Sequence, residues 1–351
     1  RAHLCVGRAL ERIYIGRELE VLDLLAHHFD SSDDHSAALR YGLQAARRAA
    51  ETWANTLALR WYGRALDRLA ICATDPSAWV DAAESARGAG PDLLLIWRVE
   101  AIEGQASVQA AIGRTDEAVR GYEEALQLVK GSVLFETSRR AGLQRKLAIA
   151  LHDRGDLAAA QAALEQGLAI VEGRVCPEAG RLHVWSGLLR FRRGELAQAL
   201  AACEEGIAIL SQIDSLQDLA QAHNLQGLIY RNMGESGPAI LAHERSMALY
   251  EAAGDSAGLE RATSNLGCVY QDLSRWSEAL RHFERSAGLA ERTGEAWRQA
   301  AAAINLGEIY RRQGDLGRAI ASYERARQIG EAFGFPEATG MALMDLGASH
   351  L

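Results

Sequence analysis

A chain of 351 residues that is 48% apolar and 24% charged, with five prolines and 6% aromatics, is neither disordered, collagen-like nor a disulfide scaffold. Its 38 basic residues against 46 acidic ones leave a formal net charge of −8, which opposes binding to a nucleic-acid backbone. The five scattered cysteines (Cys5, Cys72, Cys176, Cys203, Cys268) form no C-x-x-C pair, so neither a disulfide framework nor a zinc site is expected and a reducing cytoplasm is the simplest location.

No run approaches the ~18 consecutive apolar residues of a membrane span, so no membrane partner is expected. Residues 1–72 read as divergent helical pairs. Glu18 to Phe29 is amphipathic, Ser31 to Asp34 is a polar turn offering helix caps, and Ala37 to Ala50 and Trp53 to Ala70 carry helical periodicity. Asp75-Pro76 and Gly88 to Pro91 then punctuate a junction over 73–91.

From 92 to 351 a repeat dominates. Turn positions Gly113, Gly155, Gly194, Gly234, Ser274 and Gly314 are spaced 42, 39, 40, 40 and 40 residues apart. Five residues after each stands an alanine: Ala118, Ala160, Ala199, Ala239, Ala279, Ala319. Nine after it come Tyr122, Leu164, Cys203, His243, Phe283 and Tyr323, and twelve after it the small residues Ala125, Gly167, Gly206, Ser246, Ser286 and Ala326. Those offsets share one helix face. Upstream, Gly187, Gly227, Gly267, Gly307 and Gly347 recur every 40 residues, with Ala106 and Ala148 in the earlier places and Tyr230, Tyr270 and Tyr310 three residues on. Each unit is thus a helix, a tight turn and a second helix, and the small residues let the two helices approach closely.

The motif Leu266-Gly267-x-x-Tyr270, repeated as Leu306-Gly307-x-x-Tyr310, together with the turn glycine and Ala319, Tyr323 and Ala326, resembles the tetratricopeptide repeat family. The resemblance covers six full units from Pro91 to Phe335 plus a seventh first helix, and it implies an all-α, right-handed superhelical solenoid. The period of about 40 exceeds the family's usual ~34 and is similar to the longer-helix branch of kinesin light chains and bacterial peptide sensors. Ser274 at a turn, and Ala106 and Ala148 in the glycine column, depart from the pattern. Leu24 to Phe29, Ala38 to Tyr41 and Trp61 to Leu66 resemble the segment that joins the ATPase core to the repeats in bacterial signal-transduction (STAND-type) ATPase regulators.

Catalytic signatures are missing. Lys130 precedes Gly131 and Lys146 precedes Leu147, so no phosphate-binding loop is formed, and Met247 stands where a zincin helix begun by His243-Glu244 needs its second histidine. No Gly-x-Ser-x-Gly elbow occurs. No catalysis, metal or cofactor is therefore expected of this chain. His183 and His223 occupy equivalent places four residues before Gly187 and Gly227, on the packing surface rather than in a metal pair. The glutamates ten after each turn (Glu123, Glu165, Glu204, Glu244, Glu284, Glu324) fall on the flank of the second helix and read as solvated or ion-paired.

In superhelical arrays of this kind the first helices line the concave surface. With Leu266, Tyr270 and Leu273 packed, the opposite side presents Gln271 and, at its edge, Asn265; the neighbouring units present Asn305, Arg311 and Arg312, and Asn224, Arg231 and Asn232. An asparagine amide offers donors and an acceptor, so it pairs with the N–H and C=O of an extended peptide without reading side chains. Neighbouring units put Asn265 and Asn305 ~10 Å apart, about three residues of extended chain. In the resembling peptide sensors and kinesin light chains, matching asparagines hold ligand backbones; the competing reading is that Asn265 and Asn305 bridge neighbouring helices. Lys146, Trp185, Leu225 and Asp345 stand elsewhere in this column, so the ladder is short. For the arginines, a place in the last turn of a helix, complementing its dipole, competes with contact to an acidic peptide.

The expected function is a protein- or peptide-binding module, the ligand-sensing or partner-recruiting part of a larger cytoplasmic signalling protein, with an intramolecular ATPase or other effector domain as a further partner. The alternatives are the repeat region of an adenylate cyclase, kinase or ATPase, and a pure oligomerisation scaffold. The start at Arg1, and a seventh first helix carrying Met341, Leu343, Met344 and Leu346 with no second helix after it, lead to the expectation of a longer native chain.

Overall fold

Why the chain coils into short helix pairs is visible at the turns. Each first helix ends in a residue with a left-handed backbone (Gly113, Gly155, Gly194, Gly234 and Gly314, φ +77° to +90°), whose missing Cβ makes that conformation accessible. Asp34, Asp156, Asp255 and Asp315 then start helices by accepting a hydrogen bond from the backbone N–H three residues on, each cap contributing about 1 kcal/mol.

The computed structural model describes residues 1–74 and 90–350, and these form seventeen α-helices with no strand. The junction expected over 73–91 lies almost wholly outside the described residues. The chain divides into two compact units, 1–172 and 173–351.

The first unit opens with α1 (Ala2–Ile13), a 3-10 turn (Glu18–Val21) and α2 (Leu22–Asp30). Three helix pairs follow: α3 (His35–Glu51) with α4 (Asn55–Thr74), α5 (Gly90–Ala111) with α6 (Thr115–Val129), and α7 (Thr137–Asp153) with α8 (Leu157–Ile170). Leu22, Leu25, Phe29, Leu39 and Leu43 make a core that Ala101 and Val108 of α5 join.

The second unit comprises α9 (Pro177–Arg192) with α10 (Leu196–Leu210), α11 (Leu216–Met233) with α12 (Ser236–Ala253), α13 (Ser256–Asp272) with α14 (Trp276–Thr293), α15 (Ala296–Arg312) with α16 (Leu316–Phe333), and α17 (Pro336–His350) against α15 and α16. The repeat columns are its core. Ala199, Ala239, Ala279 and Ala319 are all fully buried. The residue nine after the turn packs on the first-helix glycine so closely that a Cβ on Gly267 would stand 2.7 Å from the Phe283 ring.

The pair α3–α4, read as divergent, keeps the spacing of the repeat columns. Trp53 takes the turn position with φ +58°, and Ala58, Tyr62 and Ala65 follow at the same five, nine and twelve residues, all buried. Ala46, seven before, takes the small-residue place and is fully buried. Trp53 and Ser274 are the two non-glycine residues with positive φ among the described residues, and both are turn positions. A Cβ there costs roughly 1–2 kcal/mol, partly offset by glycine's extra freedom when unfolded. Ser274→Gly is accordingly expected to stabilise the protein by about 1 kcal/mol in urea unfolding; a loss of stability would show that the Ser274 side chain contributes something a glycine cannot.

Candidate peptide-binding face

The first helices of successive pairs touch one another within each unit: α3 with α5 and α5 with α7, then α9 with α11, α11 with α13 and α15 with α17. They therefore form one face, the inner side of each stack. In the second unit these first helices carry every residue singled out for peptide binding.

The asparagines are brought together across repeats. Asn265 Nδ2 donates to Asn224 Oδ1 at 3.0 Å, and Asn305 Nδ2 donates to Ser264 Oγ at 3.3 Å. All three asparagines are half-buried. Each bond uses one donor hydrogen, leaving on Asn265 and Asn305 a second hydrogen and the carbonyl oxygen. Bridging and peptide recognition are thus compatible uses of the same amide. Asn224 Oδ1 also lies 3.1 Å from Nδ1 of His243, a fully buried side chain on α12.

The arginines are held by carboxylates. Arg231 reaches Asp272 through Nε at 2.5 Å and Nη2 at 3.1 Å, a two-pronged bridge from α11 to α13. Glu308 takes both Arg311 (2.7 Å) and Arg312 (2.6 Å), so two cations share one carboxylate, which those cations hold below its ordinary pKa against the opposing effect of burial. Asn232, exposed, donates to the Leu228 carbonyl at 2.9 Å, and Gln271 is half-buried.

His183, His223, His243 and His282 are all depressed by burial. His183 and His223 do not meet: the first faces Glu205 at 2.8 Å and the second Gln226 at 3.1 Å. Burial, with Arg231 nearby, pushes His243 down to about 4, and its Nε2 is buried without a hydrogen-bond partner. The glutamate column is exposed at Glu123, Glu165, Glu204, Glu244 and Glu284, while half-buried Glu324 pairs with Arg327 at 2.8 Å.

Three features escaped the sequence reading. The inner-face bonds join residues 41 apart (Asn224 with Asn265, Ser264 with Asn305, Arg231 with Asp272), one repeat plus one residue, and a scan for polar pairs at that spacing would find them. Buried Glu260 accepts from Ser286 Oγ and Arg298 Nη1, both at 2.8 Å, and so ties α13, α14 and α15 together. His3, His27 and His28 cluster with ring centroids 5.0–5.7 Å apart, although α1 carries no repeat signal. Among the described residues no group of three or more His, Cys, Asp or Glu is placed to hold a metal ion, and no helix is long and apolar enough to cross a membrane.

Tetratricopeptide repeat family models match residues 145–212 and 255–332. No curated protein sequence matches the chain. Among solved structures it is similar to aspartyl phosphate phosphatase F from Bacillus subtilis (16% identity, TM-score 0.62, covering 93% of this chain and 83% of that one). A Signal Transduction ATPase with Numerous Domains protein with a tetratricopeptide repeat sensor, from Pyrococcus horikoshii, shares 16% identity with a TM-score of 0.61 over 83% of this chain; the match spans about half, 49%, of that protein. A Rap protein complexed with competence and sporulation factor shares 11% identity with a TM-score of 0.58 over 99% of this chain and 95% of that one. At these identities the likeness establishes the fold: a solenoid of tetratricopeptide-type helix pairs.

Proposed function

We propose that this chain of tetratricopeptide repeats is a protein-interaction module that takes an extended peptide segment along the first-helix face of its second unit, as the sensing or recruiting part of a larger signalling protein. The observation that carries the reading is the asparagine pair: Asn265 and Asn305 occupy equivalent positions one repeat apart and keep an amide carbonyl and a donor hydrogen beyond their inter-helix bonds. Arg231, Arg311 and Arg312 flank them, while Asn224, Asn232 and Gln271 extend the polar strip. Arg311 and Arg312 share Glu308, with the Asp345 carboxylate also near, so that end of the face is balanced in charge and offers two guanidinium groups that an acidic residue of the ligand can engage. The similarity to a Rap protein bound to a factor and to a repeat sensor of a signalling ATPase agrees with a peptide or protein partner and with an effector domain as its output.

The double substitution Asn265→Ala with Asn305→Ala tests it. Each amide lost from a peptide backbone costs about 1–3 kcal/mol of binding, whereas each inter-helix bond contributes only about 1 kcal/mol to the fold. Partner affinity is therefore expected to fall at least tenfold at a temperature where the variant remains fully helical by circular dichroism. Unchanged affinity would refute the groove reading and favour a scaffold that associates through its other surfaces.

A further inference from the structure

The first unit holds a cavity of about 600 Å³, lined by the first helices α3, α5 and α7 together with Asn55 and Tyr62 of α4, and distinct from the asparagine strip. Its rim is Trp53, 75% exposed and held in the left-handed region at φ +58° in a turn position that glycine occupies in most other pairs. Backbone strain that a glycine would relieve, spent on holding an indole in solvent beside a cavity, is the kind of outlier that marks a binding role. Tyr62 also lines it, with a ring so close to Gly104 that a Cβ there would be 2.3 Å away.

The charges lining the cavity are not evenly mixed. On the α7 side Lys146 (2.7 Å) and Arg139 (3.3 Å) share the single carboxylate of Glu103, leaving one positive charge in excess. On the α3 side Arg47 stands 3.1 Å from Glu100, and exposed Glu51 leaves one negative charge in excess. The cavity is therefore dipolar, with Trp53 and Tyr62 in its lining, and its volume falls within the ~300–1,000 Å³ of small-ligand sites.

We infer that this cavity binds a free di- or tripeptide with an apolar side chain, its carboxylate between Lys146 and Arg139, its ammonium toward Glu51 and Glu100, and its side chain between Trp53 and Tyr62. The inference goes beyond the groove reading, which uses other residues in the other unit. A ligand carboxylate displaces no partner irreplaceably, since Glu103 keeps one cation when the other turns to the ligand. Both termini are required, because either charge alone would face its own sign at the far wall.

The test is native mass spectrometry of the full chain against a pool of free dipeptides and tripeptides, with N-acetylated and C-amidated pools alongside, followed by calorimetry on the hits. Free peptides are expected to bind and either blocked form to bind at least tenfold more weakly. Lys146→Met and Trp53→Gly should each weaken binding at least tenfold, while Asn265→Ala with Asn305→Ala leaves it unchanged. Trp53→Gly should at the same time raise the melting temperature by releasing the left-handed backbone. No free peptide bound at millimolar concentration, equal binding of the blocked pools, or a Trp53→Gly variant that melts lower and still binds would each overturn the inference.

Discussion

Lowering the pH from 7 to 5 is expected to destabilise the second unit sharply, and His243→Phe to remove much of that sensitivity. His243 is fully buried, its Nδ1 facing Asn224 and its Nε2 without a partner, so the cation has neither water nor an anion to stabilise it; burial, with Arg231 nearby, holds the imidazole at about 4 against an ordinary 6.5. Because the folded value lies below the unfolded one, the unfolded chain takes up the proton first. Stability is complete above 6.5, falls as the pH drops from there towards 4, and levels off below. With ~1.36 kcal/mol per unit of pKa difference, the loss from this residue is on the order of 2 kcal/mol at pH 5. His183, His223 and His282, also depressed by burial, add to the same window. Phenylalanine occupies the equivalent place at 283, packed on Gly267 as His243 is on Gly227, so His243→Phe keeps the shape. Urea unfolding from pH 7 to 5 measures the slope, and an unaltered slope in the variant would mean that the His243 ring reaches water.

Arg298→Met should be the most damaging single substitution among the polar contacts. Glu260 and Arg298 form an ion pair with side chains 6% and 18% exposed, which removes most of the water that would screen it. Removing the arginine leaves a buried carboxylate held by Ser286, a loss of ~3–5 kcal/mol. Changing both members, Glu260→Met with Arg298→Met, should recover more than half of it, since an apolar pair replaces a buried ion pair at little net cost. A single variant within 1 kcal/mol of the parent would show that solvent reaches Glu260.

The repeats are legible in the sequence because a turn residue, an alanine and a small residue recur at fixed offsets, and each is fixed by one local steric demand: a left-handed turn, a close helix crossing. The helices of the α3–α4 pair were legible, but Trp53 hid their match to the repeat columns because it breaks the turn rule while Ala46, Ala58, Tyr62 and Ala65 keep the packing rule, and because residues 54–112 separate it from the next turn by more than one period. The candidate site was half legible. That Asn265 and Asn305 lie on the first-helix face follows from periodicity; that Asn224 and Ser264 receive their amides depends on how far one pair is displaced against the next. His243 stands in the packed column nine after the turn, so its place in the core is legible, whereas burial of Glu260 was hidden because helix periodicity assigns a face but not the depth of a polar side chain within it.

The central claim, that the first-helix face of the second unit holds an extended peptide by its backbone, is tested most directly by the side-chain amide signals of Asn265 and Asn305 in a nitrogen-15 NMR titration with a peptide selected against the chain by phage display. Both signals are expected to shift with the binding isotherm, and replacing backbone N–H groups of the peptide by N-methyl at two sites about three residues apart is expected to abolish the shifts. Shifts confined to the second helices α12, α14 and α16, with the two asparagine signals unmoved at saturation, would contradict it.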